Sequence, residues 1–306
     1  MIPEHVGEEK DDTITLIGTG DPYIDVSAVQ EVVDQGGTVT LKGTFDFGTG
    51  TVYIMKTVTI QGEGPEKTKI CGGGHVEGHY SMQASAFMSM RGANPTIEKI
   101  WFDGAVFAAI YLFSCNSATI RENKITGVIP ETEKFGYEPA TMGIWGGSLF
   151  ETIYANDHTS SYYGEPIYGF KGSILIEKNE VDLMHLSPIG LIDGITIFDA
   201  PEASFIHVKD NVVKTPFNGI TVEGTGKAPS LIENNIIEGS PSQAIWTGAA
   251  YFTKTMGPTE ISKNAIINCR QAGIRIARAR INQRLLVKTQ LRTSTDQDCG
   301  GLHRYT

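Results

Sequence analysis

The sequence predicts an all-β coil of short parallel strands, and two interleaved phrases in its middle lead to that prediction. The first phrase is a small residue, Ile, a variable residue and usually another aliphatic residue; it starts at Ala109, Gly143, Gly194, Gly219, Ala244 and Gly273. These starts lie 34, 51, 25, 25 and 29 residues apart. The second phrase sets an Asn between aliphatic residues and alternates with the first; its members are Asn123, Asn179, Asn211, Asn235 and Asn264. Apolar residues recur at every second position, which predicts strands rather than helices.

Strands this short bury their Ile side chains if each strand stacks on its counterpart one coil later, about 4.8 Å away. The asparagines of successive coils then lie above one another, where their side-chain amides hydrogen bond along the stack. Asn also tolerates the left-handed conformation that a sharp corner needs. We therefore expect the five asparagines to form a structural ladder at one corner rather than a catalytic set.

A short amphipathic helix is predicted before the coils, over residues 24–34, with Asp25 or Ser27 as its N-cap. Gly36 and Gly37 end this helix, and a strand begins at Thr38. Further strands are predicted within three segments, residues 52–60, 67–71 and 97–102.

Together these features resemble the right-handed parallel β-helix proteins of the pectin-lyase-like superfold, over roughly residues 24–276. The resemblance implies a single-stranded right-handed parallel β-helix (a solenoid) with a short N-terminal capping helix that hides the open edge of the first coil. The superfold includes lyases, hydrolases, epimerases, adhesins and proteins without known catalysis, so the fold alone does not select an activity.

The chain divides by pattern into three parts. Residues 1–23 are an N-terminal extension, residues 24–291 are the β-helix domain, and residues 292–306 are an irregular tail in an Arg-rich end. Loop insertions interrupt the domain near residues 128–140 and 148–172, and nine of the 27 aromatic residues lie between positions 128 and 172. Such insertions often form the binding face of a solenoid, although a long loop also uses aromatic residues for its own small core.

Composition restricts the function classes. A formal charge of −10 argues against nucleic acid as a partner, because phosphate contacts need clustered Lys and Arg. No apolar run is long enough to predict a transmembrane segment. The four cysteines are scattered without metal-ligand spacing, so no metal site is expected. Residues 1–12 contain no apolar segment of a signal peptide, and a secreted, periplasmic or cell-surface location is implied by the resemblance alone.

The variable residues of the first phrase are the candidate substrate-binding residues. If the flanking aliphatic residues point inward, the variable residues point outward and stack in one row: Tyr111, Trp145, Thr196, Thr221 and Trp246, followed by Arg275. Trp145 and Trp246 would lie three coils apart, or roughly 14 Å, which suits separate units of an extended glycan. The alternative is that the long loops fold back and bury these rings.

Carboxylates beside this row are the candidate catalytic residues. Asp193 precedes one strand, with Asn218 and Gln243 at the equivalent places of the next two coils. Glu223 and Asp199 follow neighbouring strands. We expect Asp193 and Glu223 to act as the acid and base of a glycan-cleaving enzyme, with Asp199 as a third candidate. Acidic turn residues are, however, common in any soluble solenoid.

Comparison with the motifs of known enzymes of the superfold restricts the class of ligand that the sequence predicts. Pectate lyases use calcium and basic residues, yet only Arg91 and Arg121 occur before residue 270, and no motif indicates a calcium site. The G-H-G motif of polygalacturonases is absent. No cofactor is expected; calcium stays open as an alternative that no specific motif indicates. A neutral or weakly charged polysaccharide is the predicted partner. The rival hypothesis is a non-catalytic solenoid for adhesion or assembly, and the oligomeric state is not predicted.

Overall fold

The computed structural model describes residues 13–74, 85–130, 140–148, 155–156, 158, 163–164, 166–186, 191–240, 242–250, 253–277, 285–292 and 303–304. Its helix is α1 (Pro22–Val33). Its strands, in chain order, are β1 (Thr13–Ile17), β2 (Gly37–Gly48), β3 (Val52–Ile54), β4 (Val58–Gly62), β5 (Thr68–Gly72), β6 (Ser85–Ser89), β7 (Pro95–Glu98), β8 (Trp101–Asp103), β9 (Ala108–Leu112), β10 (Ala118–Arg121), β11 (Lys124–Thr126), β12 (Ala140–Gly146), β13 (Ser173–Glu177), β14 (Glu180–Asp182), β15 (Leu191–Phe198), β16 (Phe205–Lys209), β17 (Val212–Lys214), β18 (Asn218–Glu223), β19 (Ser230–Glu233), β20 (Ile236–Glu238), β21 (Gln243–Gly248), β22 (Thr259–Ile267), β23 (Ala272–Ala277), β24 (Leu285–Arg292) and β25 (His303–Arg304).

These strands form three parallel ladders, one for each side of the coil. The first ladder runs β1-β2-β4-β7-β10-β13-β16-β19-β22 and the second runs β2-β5-β8-β11-β14-β17-β20-β22, so the long strands β2 and β22 belong to both. The third ladder runs β3-β6-β9-β12-β15-β18-β21-β23-β25. Each strand pairs with strands about one coil away in sequence, which confirms the predicted parallel coil.

The interior is filled by the aliphatic residues of the repeated phrases. Ile110, Ile144, Ile195, Ile220 and Ile245 lie in register along the third ladder and are fully buried. Stacking these side chains removes their apolar surface from water, which is the main stabilising contribution of the coil. The register therefore follows from the sequence repeat.

The small residues at the start of the first phrase also have a packing reason. A Cβ atom added to Gly143, Gly194 or Gly219 would lie 2.5, 2.2 and 2.4 Å, respectively, from side-chain carbons of the opposite wall of the coil. Real Cβ atoms do not approach carbon atoms this closely, so these three positions accept only glycine without a shift of the coil. The glycines bring the third and second ladders close together.

The five asparagines form the predicted ladder, and all are buried. The Oδ1 atom of Asn211 accepts hydrogen bonds from the backbone N–H and the Nδ2 of Asn179, at 2.9 and 3.0 Å, and the same pattern links each of the five to the next. Each Nδ2 also donates to a backbone carbonyl of the preceding coil, as Asn211 does to Ile176 at 3.0 Å. The prediction of a structural corner ladder is confirmed.

The left-handed conformation at this corner belongs to a different residue from the one expected. The residues that precede the asparagines have positive φ: Glu122, Lys178, Asp210, Asn234 and Lys263, at 54° to 57°. The asparagines themselves have no such φ. The chain therefore turns at the residue that precedes each asparagine. The Asn side chain then points into the stack, where its amide makes hydrogen bonds with backbone groups that have no strand partner at the corner.

Replacing Asn211 with Ala should lower the free energy of unfolding by roughly 3 kcal/mol or more, because the buried donors of Asn179 and the carbonyl of Ile176 lose their partner. Denaturant titration followed by circular dichroism measures the change. Gln35→Ala, which removes an exposed amide, is the control and should leave stability unchanged. Equal stability of the two variants would contradict a structural role for the ladder.

The helix begins earlier than expected. Asp21 is its N-cap and accepts hydrogen bonds from the backbone N–H groups of Tyr23 and Ile24, so the predicted caps Asp25 and Ser27 are wrong. Asp25 is buried instead, where its carboxylate accepts hydrogen bonds from Thr19, from Gly20 and, at 2.8 Å, from the backbone N–H of Asp46. It ties the helix to the first coil.

The helix also covers the edge of the third ladder, as predicted. The side-chain amide of Gln30 donates to the carbonyl of Tyr53 and accepts from its N–H, both at 2.8 Å, in place of a further strand. The edge strand β3 is therefore partly closed by one side chain.

Other parts of the predicted division are described only in part. Strand β1 lies within the predicted extension and pairs with β2, and β25 lies within the predicted tail and pairs with β23. Most of the insertion at 128–140, and much of the one at 148–172, lie outside the described residues. Among the residues that the structure describes, no helix is both long and apolar enough to cross a membrane.

Candidate functional site

The predicted row of outward residues is in register on the third ladder. Tyr111 pairs with Trp145, Trp145 with Thr196, Thr196 with Thr221 and Thr221 with Trp246. Arg275 follows Trp246 on the next strand. Trp145 and Trp246 are therefore three coils apart, as the repeat spacing predicts.

The expectation that this row would be open to solvent is wrong for four of its five residues. Only Trp246 is half-buried rather than buried. Tyr111 and Trp145 pack in a second hydrophobic cluster outside the coil, with ring centroids 5.6 Å apart. Phe107 lies 4.9 Å from Trp145, and Phe113 lies 5.6 Å from Tyr111. These rings stabilise the outer face of the third ladder, which leaves Trp246 as the aromatic surface of the row that a ligand can reach.

The two threonines of the row hold a carboxylate. The hydroxyl groups of Thr196 and Thr221 both donate to Oδ2 of Asp193 at 2.9 Å, and Nδ2 of Asn218 donates to its Oδ1 at 2.8 Å. Burial raises the pKa of Asp193, and these three donors act in the opposite direction because they favour the ionised form. Asp193 is thus a fixed carboxylate whose hydrogen-bond partners come from two adjacent coils.

Glu223 lies two residues beyond Thr221 on β18 and is only 4% exposed. Its pKa is raised to about 8; burial is the largest cause, and the charges of Asp193 and, to a lesser extent, of Asp199 contribute to the increase. The indole of Trp246 and the positive charge of Arg275 lower the pKa and offset only part of the increase. The Trp246 Nε1 makes no hydrogen bond of normal geometry with the described residues, so we attribute its effect to proximity and not to a formed bond.

Asp199 occupies a turn next to this pair. Its φ is +57°, its Oδ1 accepts the backbone N–H of Thr253 at 2.7 Å, and its carbonyl accepts hydrogen bonds from Ser148. These contacts connect three segments of chain. They give Asp199 a structural function at the turn, and its predicted catalytic role stays a prediction.

The arrangement suits acid–base chemistry. Two carboxyl groups in unlike surroundings divide into an acid and a base when one stays protonated and the other is ionised. Asp193 has three neutral donors that stabilise its charge, and that charge in turn favours the protonated form of Glu223. The pKa values of both carboxyl groups are raised by burial, and the donors at Asp193 together with its charge beside Glu223 favour Glu223 as the group of the pair that keeps its proton to higher pH.

The sequence predicted no role for two neighbours of the Asp193–Glu223 pair, Asn218 and Arg275. Asn218 was recognised only as the equivalent of Asp193 one coil later, and it is a direct hydrogen-bond donor to that carboxylate. Arg275 has its guanidinium carbon 4.5 Å from the ring centroid of Trp246. The signal for both was their place in the register of the repeats. Among the described residues, no group of three or more His, Cys, Asp or Glu side chains is placed to hold a metal ion.

Comparison with known proteins identifies the family. The profile described as "Right handed beta helix region" matches residues 85–256, which is more than half of the chain. The chain belongs to the right-handed β-helix family. The strands β6 to β21, which hold Asp193 and Glu223, lie within the matched region.

Two solved structures are similar to this β-helix protein. One is the A-module of a mannuronan C-5 epimerase from Azotobacter vinelandii, at 12% identity and a TM-score of 0.31, with 94% of each chain covered. The other is the catalytic domain of a GH87 α-1,3-glucanase in complex with tetrasaccharides, at 10% identity and a TM-score of 0.38, with all of this chain and 70% of that chain covered. Among curated proteins, none matches the sequence.

Proposed function

We propose that this β-helix protein binds a polysaccharide on the outer face of its third ladder and cleaves it as a glycoside hydrolase or a lyase. The observation that carries the proposal is the placement of Asp193 and Glu223 on neighbouring coils, beside the half-buried Trp246. Asp199 is near enough to act on Glu223, so three carboxylates occupy one region of the outer face. Such a concentration of acidic groups beside an aromatic ring is typical of glycan-cleaving sites.

In this proposal Glu223 transfers its proton to the oxygen of the glycosidic bond as that bond breaks. Asp193 acts as the base, either on a water molecule in a hydrolase or on a sugar C–H in a lyase. Thr196, Thr221 and Asn218 are positioning residues that orient Asp193 and offset part of the effect of burial on its pKa. The sugar face packs on Trp246, and Tyr111 and Trp145 stabilise the wall behind it. A polysaccharide ligand agrees with a secreted, periplasmic or cell-surface location.

Removal of the Trp246 ring should weaken glycan binding about tenfold or more, because the ring supplies the reachable apolar surface of the row. A glycan array with purified wild-type protein identifies the ligand, and titration calorimetry then compares Trp246→Ala with the wild type. Trp101→Ala is the matched control, since Trp101 is a half-buried tryptophan on the second ladder, between Lys69 and Lys124. Assays for reducing ends and for unsaturated ends distinguish a hydrolase from a lyase. Failure of well-folded wild-type protein to bind any glycan would overturn the proposed function.

One observation favours the rival, a non-catalytic solenoid for adhesion or assembly. Alternating charges lie in register on the outside of the first ladder: Glu98, Arg121, Glu177, Lys209 and Glu233. Lys209 forms an ion pair with Glu177 at 3.0 Å, and Arg121 forms one with Glu98. A regular, paired face of this kind suits contact with another protein surface. Under this alternative, neither cleavage product appears with any glycan, and charge reversal at Lys209 disrupts the assembly.

A further inference from the structure

The side of Glu223 that faces the following coils meets a glycine. Glu223 pairs with Gly248 on β21, and Gly248 has a φ of +147°, which only glycine adopts readily. Successive side chains of a strand alternate between two faces, so Trp246, two residues before Gly248, lies on the same face as Glu223. Since no side chain stands at Gly248, the Trp246 indole is the polar neighbour of Glu223 on the following coil.

One coil further along the ladder, Arg275 covers the Trp246 ring. The two residues pair in register, and the guanidinium carbon of Arg275 lies 4.5 Å from the ring centroid. Both side chains are half-buried. A guanidinium placed over an indole is attracted by the negative face of the ring, and its planar shape suits stacking. The guanidinium therefore restrains the Trp246 ring from the side away from Thr221.

Arg275 is also the positive group among the charges that act on Glu223. The negative charges are those of Asp193 on β15 and Asp199 in the turn after β15, and both favour the protonated form of Glu223. Arg275 acts in the opposite sense from β23, which is two coils, or roughly 10 Å, along the stack from β18. Charges that are partly buried interact over such a distance with little screening by salt. One guanidinium thus acts on both the exposed ring and the buried acid.

We propose that Arg275 is a positioning residue of this site, which holds the Trp246 ring in place for the sugar and sets a positive charge near Glu223. The inference rests on the proposed function, because it concerns the same site. Arg275 acts through Trp246 and Glu223 and not on the sugar itself. Both the affinity for the glycan and the pH range of cleavage therefore depend on this one side chain.

The first test is Arg275→Met, which keeps the length of the side chain and removes the planar cation. Quenching of tryptophan fluorescence by acrylamide should increase, because one side of the Trp246 ring is uncovered. For the glycan that the wild type cleaves, KM should rise roughly two- to fivefold. The fall in rate at high pH should move upward by about half a pH unit or more, because Glu223 loses a neighbouring cation. Arg275→Lys keeps the charge, so it should restore the pH profile but not the full protection of the ring.

The second test needs no glycan. Arg275→Met and Glu223→Gln are combined in a double-mutant cycle, and the urea midpoints of unfolding are measured at pH 5 and pH 9. At pH 9 the folded protein holds an ionised Glu223, since its pKa is about 8, and Arg275 attracts this charge. Arg275→Met should then lower the midpoint more when Glu223 is present than in the Glu223→Gln background. At pH 5 Glu223 is protonated, so the two losses should be equal.

Lys69→Met is the matched control, since Lys69 is another cation over a tryptophan, with its Nζ 4.0 Å from the ring centroid of Trp101 on the second ladder. It should change neither KM nor the pH profile, and its effect on the midpoint should be the same with and without Glu223→Gln. Unchanged quenching in Arg275→Met, or equal losses at pH 9, would overturn the role of Arg275. If the wild type cleaves no glycan, the proposed function fails, and the quenching and urea measurements still decide the role of Arg275.

Discussion

Replacing Glu223 with Gln is expected to lower the rate of glycan cleavage by about 10²- to 10⁴-fold while glycan affinity stays nearly unchanged. Gln has almost the same shape as Glu and keeps the packing next to Trp246, but it cannot transfer a proton. The loss should therefore appear in kcat and not in KM. Product formation from the glycan identified by the array measures the effect.

The pH profile provides an independent check of the same assignment. Because burial and the charge of Asp193 raise the pKa of Glu223 to about 8, the wild-type rate should fall as the pH rises through that value and the acid loses its proton. Glu180→Gln is the control, because Glu180 is exposed on β14 of the second ladder. Cleavage by Glu223→Gln at the wild-type rate would exclude Glu223 as the proton donor.

Ionisation of Glu223 should also change the stability of the protein. The pH dependence of this contribution should be opposite to that of an ordinary salt-bridged carboxylate. The folded protein holds this proton more tightly than the unfolded chain, in which the pKa is near 4.5. The stabilisation is therefore complete below about pH 4.5 and is lost as the pH rises toward 8, by about 1.4 kcal/mol per unit and about 5 kcal/mol at most. The Gln side chain of Glu223→Gln has no ionisable group, so this variant should not lose stability in this way.

Urea titrations of the wild type and Glu223→Gln at pH 5 and pH 8.5 measure the difference directly. Groups that do not interact with Glu223 titrate equally in both proteins and cancel, so the variant should gain stability relative to the wild type by several kcal/mol between the two pH values. Glu180→Gln should follow the wild type. Parallel stability curves for Glu223→Gln and the wild type would mean that Glu223 is not protonated in the folded state near neutral pH.

The coil and its register could be predicted because both depend on repeated short-range patterns. Ile195 and Ile220 are 25 residues apart in sequence and adjacent in space, and the asparagines of the same repeats show the same relation. Stacking requires equivalent residues to meet, so a pattern of spacing is enough to align the outward row. The predicted placement of Asp193 near Thr196 and Thr221 follows from that alignment.

Burial of the row could not be predicted in the same way. Tyr111 and Trp145 are covered by Phe107, Phe113 and Met142, which do not belong to the repeated row. The predicted N-cap of the helix was wrong for a similar reason. The Asp25 carboxylate accepts a hydrogen bond from the backbone N–H of Asp46 in the first coil, which lies 21 residues away in sequence. Side chains that pack on the outside of a coil depend on turns and loops, and these carry no repeat that a sequence pattern could reveal.

The three glycines that bring two walls of the coil together have an evolutionary consequence. Since no side chain fits at Gly143, Gly194 or Gly219, the cross-section of the solenoid is not free to drift in this region. The neighbouring positions hold different polar side chains in successive coils, Asp193, Asn218 and Gln243, all of them buried. The same frame therefore carries a different buried polar group in each coil, so ligand preference can change by exchange at these positions while the glycines keep the cross-section constant.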